Sequence, residues 1–281
     1  MPEPVSEAAV ARPAGPLRAV VAEHHGYRQR DVPPARHIGL PSPWLTLIFA
    51  LDEPLHVAQH PDPQQAPGVY GALLGGLHTT PAVIEHGGAQ SGIQLQVSPL
   101  GARALLGLPA GELAGLDLPA ADVLGRLGAD LAEQLQATCS WDARFRLLDE
   151  RLGRLLDPDR AGPAPEVRRA WRVLRASGGT ARIADVAREV GWSERHLAAR
   201  FRTEIGLTPK AAARVVRFDR ARRMLPRTPA AVVAATCGYA DQAHLVREFV
   251  AFTGLGPRAW LAAEVGNLQD LDATAGRDWA L

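Results

Sequence analysis

VAREVGWSERHLAARFRTEIGLTPK (186–210) and VAATCGYADQAHLVREFVAFTGLGPR (233–258) are two copies of one pattern. Val186 matches Val233, Gly191 matches Gly238 and Trp192 matches Tyr239, each 47 residues apart. His196–Leu197 matches His244–Leu245, Phe201 matches Phe249, Gly206 matches Gly254 and Pro209 matches Pro257, each 48 apart. The second copy therefore carries one extra residue in its turn. So many matches at a nearly constant offset identify an internal repeat. Each copy has the logic of a helix-turn-helix. Ile183, Val186, Ala187 and Val190 form an apolar stripe, and Gly191 sits where that helix must stop. Ser193 is a natural N-cap for the next helix, in which Leu197 and Phe201, at i and i+4, face inward. In the second copy Asp241 is the expected N-cap, and Leu245 and Phe249 face inward.

Working outward, PKAAARVVRFDRARRML (209–225) suits one long helix joining the two units in fixed relation. A further helix is expected over 167–176. The stretch 166–264 then reads as one all-α domain. It carries 18 Lys and Arg against 9 Asp and Glu, whereas residues 1–162 carry 12 Arg against 18 Asp and Glu. An acidic part joined to a basic part suggests one domain for a polyanion and one for something else.

These residues resemble the DNA-binding domain of the AraC/XylS transcriptional regulators. The resemblance covers about 166–263 and rests on GWSERHLAARF…GLTP and GYADQAHLVREF…GLGP. It implies two recognition helices, about 193–203 and 241–251, entering successive major grooves roughly 34 Å apart on double-stranded DNA. Carried over residue by residue, Ser193, Glu194, Arg195, Ala198 and Ala199 face DNA in the first unit, and Asp241, Gln242, Ala243, His244 and Arg247 in the second. Arg195 suits guanine O6/N7 and Gln242 suits adenine N6/N7. Arg200, Arg202 and Lys210 suit phosphate, which sets register without reading sequence. Ala199 stands where many members have Arg. Val246 and Val250 make the second helix less polar, which weights it toward positioning. RNA polymerase, a small-molecule effector and a second copy of the chain are the further partners implied, with activation or repression as the outcome.

The rest of the chain is β-rich, then helical. Residues 1–16, rich in Pro and Ala, read as a disordered leader. Short apolar runs follow, including WLTLIFAL (44–51) and SGIQLQVS (91–98), where Ile93, Leu95 and Val97 alternate with Gln94, Gln96 and Ser98. Several such runs suggest an antiparallel sandwich or barrel, and the family resemblance makes a cupin-like barrel the analogy. A short helix is expected over 99–107, then Asp122–Ala137 and 141–156, either capping the sheet or forming a dimer seam. DPDRAGPAPE (157–166) contains the linker. The fold class is α+β: leader 1–16, sensor or dimerisation domain 17–157, linker 158–165, DNA-binding domain 166–264 and tail 265–281.

SPLGARALLGLPAGELAG (98–115) and GLPSPWLTLIFALDEP (39–54) also resemble a subgroup of that family. Trp44, Phe49, Tyr70 and His78 are candidates for an effector pocket. His24, His25, His37, His56, His60, His78 and His86 show no H-x-H cluster, and Cys139 and Cys237 fit no ligand spacing. No metal, cofactor or catalytic residue is therefore expected. No stretch is long and apolar enough for a membrane span and no secretory signal is visible, so the expected location is the cytoplasm. Two other classes stay open. A cupin-type enzyme would purify with bound metal, and a protein-binding adaptor would lack salt-dependent DNA affinity.

Overall fold

The computed structural model describes residues 5–264. Strands β1 (Val5–Ala11), β2 (Val21–Arg30), β3 (Ala35–Gly39), β4 (Leu45–Ala50) and β5 (Leu55–Gln59) come first. They are followed by β6 (Gly68–Tyr70), β7 (Ala72–Gly75), β8 (Ala82–His86), β9 (Gln90–Val97) and, later, β10 (Asp117–Pro119). They form two antiparallel sheets, ordered β1-β2-β9-β4-β7-β10 and β3-β8-β5-β6. The period-2 alternation of β9 decides which face goes where. Ile93, Leu95 and Val97 are fully buried on one face, with Leu45, Leu47 and Phe49 of the neighbouring β4. That face packs against helices. The other face of the same strands turns toward the second sheet, where Ile48, Leu55, Val57, Tyr70, Leu73 and Ile84 form a separate inter-sheet cluster.

The helical layer begins with a 3-10 turn at Pro99–Gly101 and α1 (Ala102–Leu106), then α2 (Ala120–Leu124), α3 (Arg126–Ala137) and α4 (Trp141–Leu155). Leu131 and Leu135 of α3, with Phe145, Leu148 and Leu152 of α4, are buried in the same core as β4 and β9. Ser140 caps α4 by accepting the Ala143 amide, and His24 of β2 reaches Asp149 of α4 at 2.8 Å. These helices cap the sheet.

Two expectations are corrected. Residues 5–11 of the supposed leader form β1, paired with β2 from Val5↔Arg30 to Ala11↔His24. This edge strand is largely exposed and held by backbone hydrogen bonds, which leave no apolar alternation in the sequence. The helix expected over 122–137 is two helices, because Gly125 adopts φ 60°, ψ −149° and breaks it.

The basic half is all helical: α5 (Pro165–Ala176), α6 (Ile183–Glu189), α7 (Glu194–Ile205), α8 (Pro209–Met224), α9 (Ala230–Thr236), α10 (Gln242–Thr253) and α11 (Pro257–Glu264). Its core of Trp171, Leu197, Phe201, Phe218, Phe249 and Trp260 is continuous with that of the sheet and its capping helices. Arg175 of α5 also stacks 4.3 Å over the Trp44 ring. Burial pulls the Arg175 guanidinium down to about 10. The tail expected over 265–281 lies outside the described residues.

Candidate nucleic-acid interface

Helices α6 and α7 form one helix-turn-helix unit, and α9 and α10 form the other. The two turns are built alike. Gly191 and Gly238 both take φ +74°, a conformation that costs a residue with a Cβ. Just beyond them, the Trp192 amide reaches back to the Ala187 carbonyl at 3.0 Å and the Tyr239 amide to Ala234 at 2.9 Å. These six-to-one bonds satisfy carbonyls the helix end leaves open. The next helix then starts on a side-chain cap. Ser193 Oγ accepts the His196 amide at 3.2 Å, and Asp241 Oδ1 accepts the His244 amide at 2.6 Å. Each turn aromatic receives the edge of a histidine, Trp192–His196 at 4.6 Å and Tyr239–His244 at 5.3 Å. The inserted residue is absorbed in the second turn, so Leu245 and Phe249 are fully buried just as Leu197 and Phe201 are.

What remains outside is the candidate reading face. Ser193, Glu194, Arg195, Ala199, Arg200, Arg202 and Lys210 are exposed, as are Asp241, Gln242, Ala243 and Arg247. Ala198 and His244 are half-buried. His244 is engaged locally, its Nδ1 accepting the Ala240 amide at 3.3 Å. Ser193 and Asp241 are likewise committed as caps.

Helix α8 joins the units. Thr208 caps it by accepting the Ala211 amide, Pro209 opens it, and Phe218 packs on Phe249 at 5.1 Å and Phe252 at 4.8 Å. An ion-pair clamp adds orientation. Glu248 of α10, nearly buried, accepts from Arg214 at 2.7 Å and from Arg217 at 3.1 Å. Arg217 also lies 4.8 Å over the Tyr239 ring, and burial together with the Glu248 charge pushes the Tyr239 phenol up. The sequence reading missed this clamp. Its only trace is the i, i+3 spacing of Arg214 and Arg217, which places both on one face.

The inter-sheet space holds a cavity of about 100 Å³. Thr46, Ile48, Gln94 and Gln96 line it from one sheet, and Ile38, Val57 and Ile84 from the other. His78, Asp117 and, from α8, Arg222 also line it. Of the four expected pocket residues, only His78 is in this lining, and desolvation pulls its imidazole below the ordinary value. Phe49 is corrected out of the cavity. It belongs to the helix-facing core, because Ile48 and not Phe49 has the inward phase on β4. Tyr70 sits in the inter-sheet cluster and bonds His60 Nε2 at 3.2 Å, while His60 Nδ1 holds Asp117 at 2.8 Å. Trp44 is the platform for Arg175. Among the described residues no group of three or more His, Cys, Asp or Glu is arranged to hold a metal ion. Among the same residues no helix is long and apolar enough to cross a membrane.

A joined pair of such units defines a tandem helix-turn-helix protein. Residues 186–263 match the family described as "Helix-turn-helix domain", a helix-turn-helix domain of the AraC type. The chain is 30% identical over 132 residues to "HTH-type transcriptional regulator Rv1931c" of Mycobacterium tuberculosis. That match covers 46% of this chain and 48% of the relative, so the chain spans about half the length of the curated relative it matches. In fold it is similar to the apo form of a lysine-to-alanine variant of ToxT from Vibrio cholerae, with a TM-score of 0.51 at 10% identity over 85% of this chain and 96% of the other. A further crystal form of ToxT gives 0.50 at 10% identity, covering 85% and 97%. These two likenesses extend over both the β-rich and the helical parts.

Proposed function

We propose that the chain is a sequence-specific, DNA-binding transcriptional regulator that reads DNA with α7 and α10 and responds to a small molecule held between its sheets. The observation that carries this is the pair of capped helices in a helix-turn-helix match, each with its polar face exposed. In this reading Arg195 and Gln242 contact base edges in successive major grooves, and Arg247 contacts a base or phosphate. Arg200, Arg202 and Lys210 anchor the backbone. Residues 17–157, now extended by β1, act as the sensor, 158–165 as the linker and 166–264 as the reader. The inter-sheet cavity is the effector site. An occupant there touches Arg222 on the helix that joins both units, and shifts the population between DNA-competent and incompetent arrangements. Pairing of two copies on DNA and contact with RNA polymerase extend the same reading.

The test is selection of DNA sites from a random pool by the full chain, at near-physiological salt, beside an Arg195→Ala, Arg247→Ala double variant. The expected result is a motif of two elements about one helical turn apart, roughly 34 Å. It is weakened in the variant, and affinity falls steeply with salt. A pool with nothing enriched, with and without candidate small molecules, defeats the reading.

A further inference from the structure

The segment 98–115, distinctive in the sequence, has no part in the reader itself. It runs from the 3-10 turn through α1 to a second 3-10 turn, Ala110–Leu113. That turn lies against the C-terminal end of α7. An added Cβ on Gly111 would fall 2.1 Å from the Thr203 carbonyl oxygen and 2.7 Å from that of Arg202, so only glycine lets the two backbones meet. Gly206, the left-handed C-cap of α7 at φ +96°, faces Ala114 and Ala110 across the same seam. Ala110 and Leu113 are buried in one core with Ile205 and Leu207. Beside this backbone contact stands a two-pronged ion pair. Arg103 of α1 donates Nε to Glu204 Oε2 at 2.9 Å and Nη2 to Oε1 at 3.0 Å. The Glu204 side chain is only 9% exposed, and its hydrogen bond, then its charge, raise the Arg103 guanidinium pKa.

The seam grips α7 at residues 202–206 and leaves Ser193, Glu194, Arg195, Ala199 and Arg200 exposed. The docked pose therefore leaves the reading face open. The second recognition helix takes its ion-pair clamp from α8, inside its own half. We propose that Arg103 and Gly111 are positioning residues for the first recognition helix, so that the β-rich domain sets the angle of α7 while α8 sets that of α10. This rests on the DNA-binding reading above. A reading helix must be held to about 0.5 Å and 10–20° by the groups around it, and a forked ion pair beside a close backbone contact supplies such a hold.

The experiment uses the full chain on its selected two-element DNA. Arg195→Ala and Arg247→Ala first assign each protected element to its unit. Arg103→Ala is then compared with wild type, with Arg103→Lys, and with the swap Arg103→Glu, Glu204→Arg. The expected result for Arg103→Ala is about tenfold weaker binding, with protection lost at the first unit's element and kept at the second. Arg103→Lys falls between, and the swap restores protection, which a general loss of stability would not do. Without DNA, amide exchange is expected to rise in α7 and not in α10. Equal loss at both elements, no loss, tighter binding, or unchanged exchange in α7 overturns the assignment while the DNA-binding reading stands. A wild-type chain that protects no DNA overturns both.

Discussion

Replacing Glu248 by Gln leaves its shape but removes the one carboxylate that Arg214 and Arg217 share. Breaking a fully buried pair costs about 3–5 kcal/mol, because the remaining charge stays desolvated. Here the Arg217 side chain is 17% exposed and Arg214 39% exposed, so water screens part of what is left. Arg217 also keeps its contact with the Tyr239 ring. A loss of about 2 kcal/mol is the result, between the exposed and buried limits. With a urea dependence of about 2 kcal/mol/M, the unfolding midpoint falls by roughly 1 M. The assay is urea unfolding followed by far-UV circular dichroism, at constant ionic strength, with Arg217→Met completing a double-mutant cycle. Coupling of about 1 kcal/mol or more is expected between the two positions. A midpoint within about 0.2 M of wild type, with an unchanged slope, refutes the argument that this clamp holds α10 on α8.

Leu197→Ala and Leu245→Ala each remove a fully buried side chain from equivalent places, and each is expected to cost about 2–5 kcal/mol in the same unfolding assay. Gly191→Ala and Gly238→Ala both impose a left-handed backbone, worth about 1–2 kcal/mol. An added Cβ at 191 meets open space but at 238 would fall 2.6 Å from Thr180 Cγ2, so the Gly238 variant should be the less stable; equal losses would refute this. Burial favours the neutral form of Asp219, but Arg223, Arg222 and Arg175 together hold its folded pKa below the ordinary value. Its contribution to stability is therefore full above about pH 4 and lost as pH falls through the lowered folded value. Asp219→Asn should flatten the wild-type fall in urea midpoint below about pH 4, and an unchanged slope counts against the network.

The helical half was legible because its constraints recur. A turn that needs glycine, an aromatic after it, a short polar cap and two inward apolar residues left the same marks twice. The β-rich half was legible only in part. β9 announced itself by strict alternation, but WLTLIFAL (44–51) is apolar on both faces, so its phase could not be read and Phe49 was placed on the wrong side. β1 is stabilised by main-chain bonds that any sequence can make. The seam between Arg103 and Glu204 joins residues 101 apart, and only the folded chain brings them together.

The extra residue in the second turn is accommodated between Gly238 and the start of α10, without shifting the phase of Leu245 and Phe249. The unit thus separates what keeps it folded from what it displays. Glycine, cap and inward pair are its chassis; the outward positions take no part in that packing. On the DNA-binding reading proposed above, a substitution on the outward face of one unit would leave the other unit's packing and its half of the site as they were.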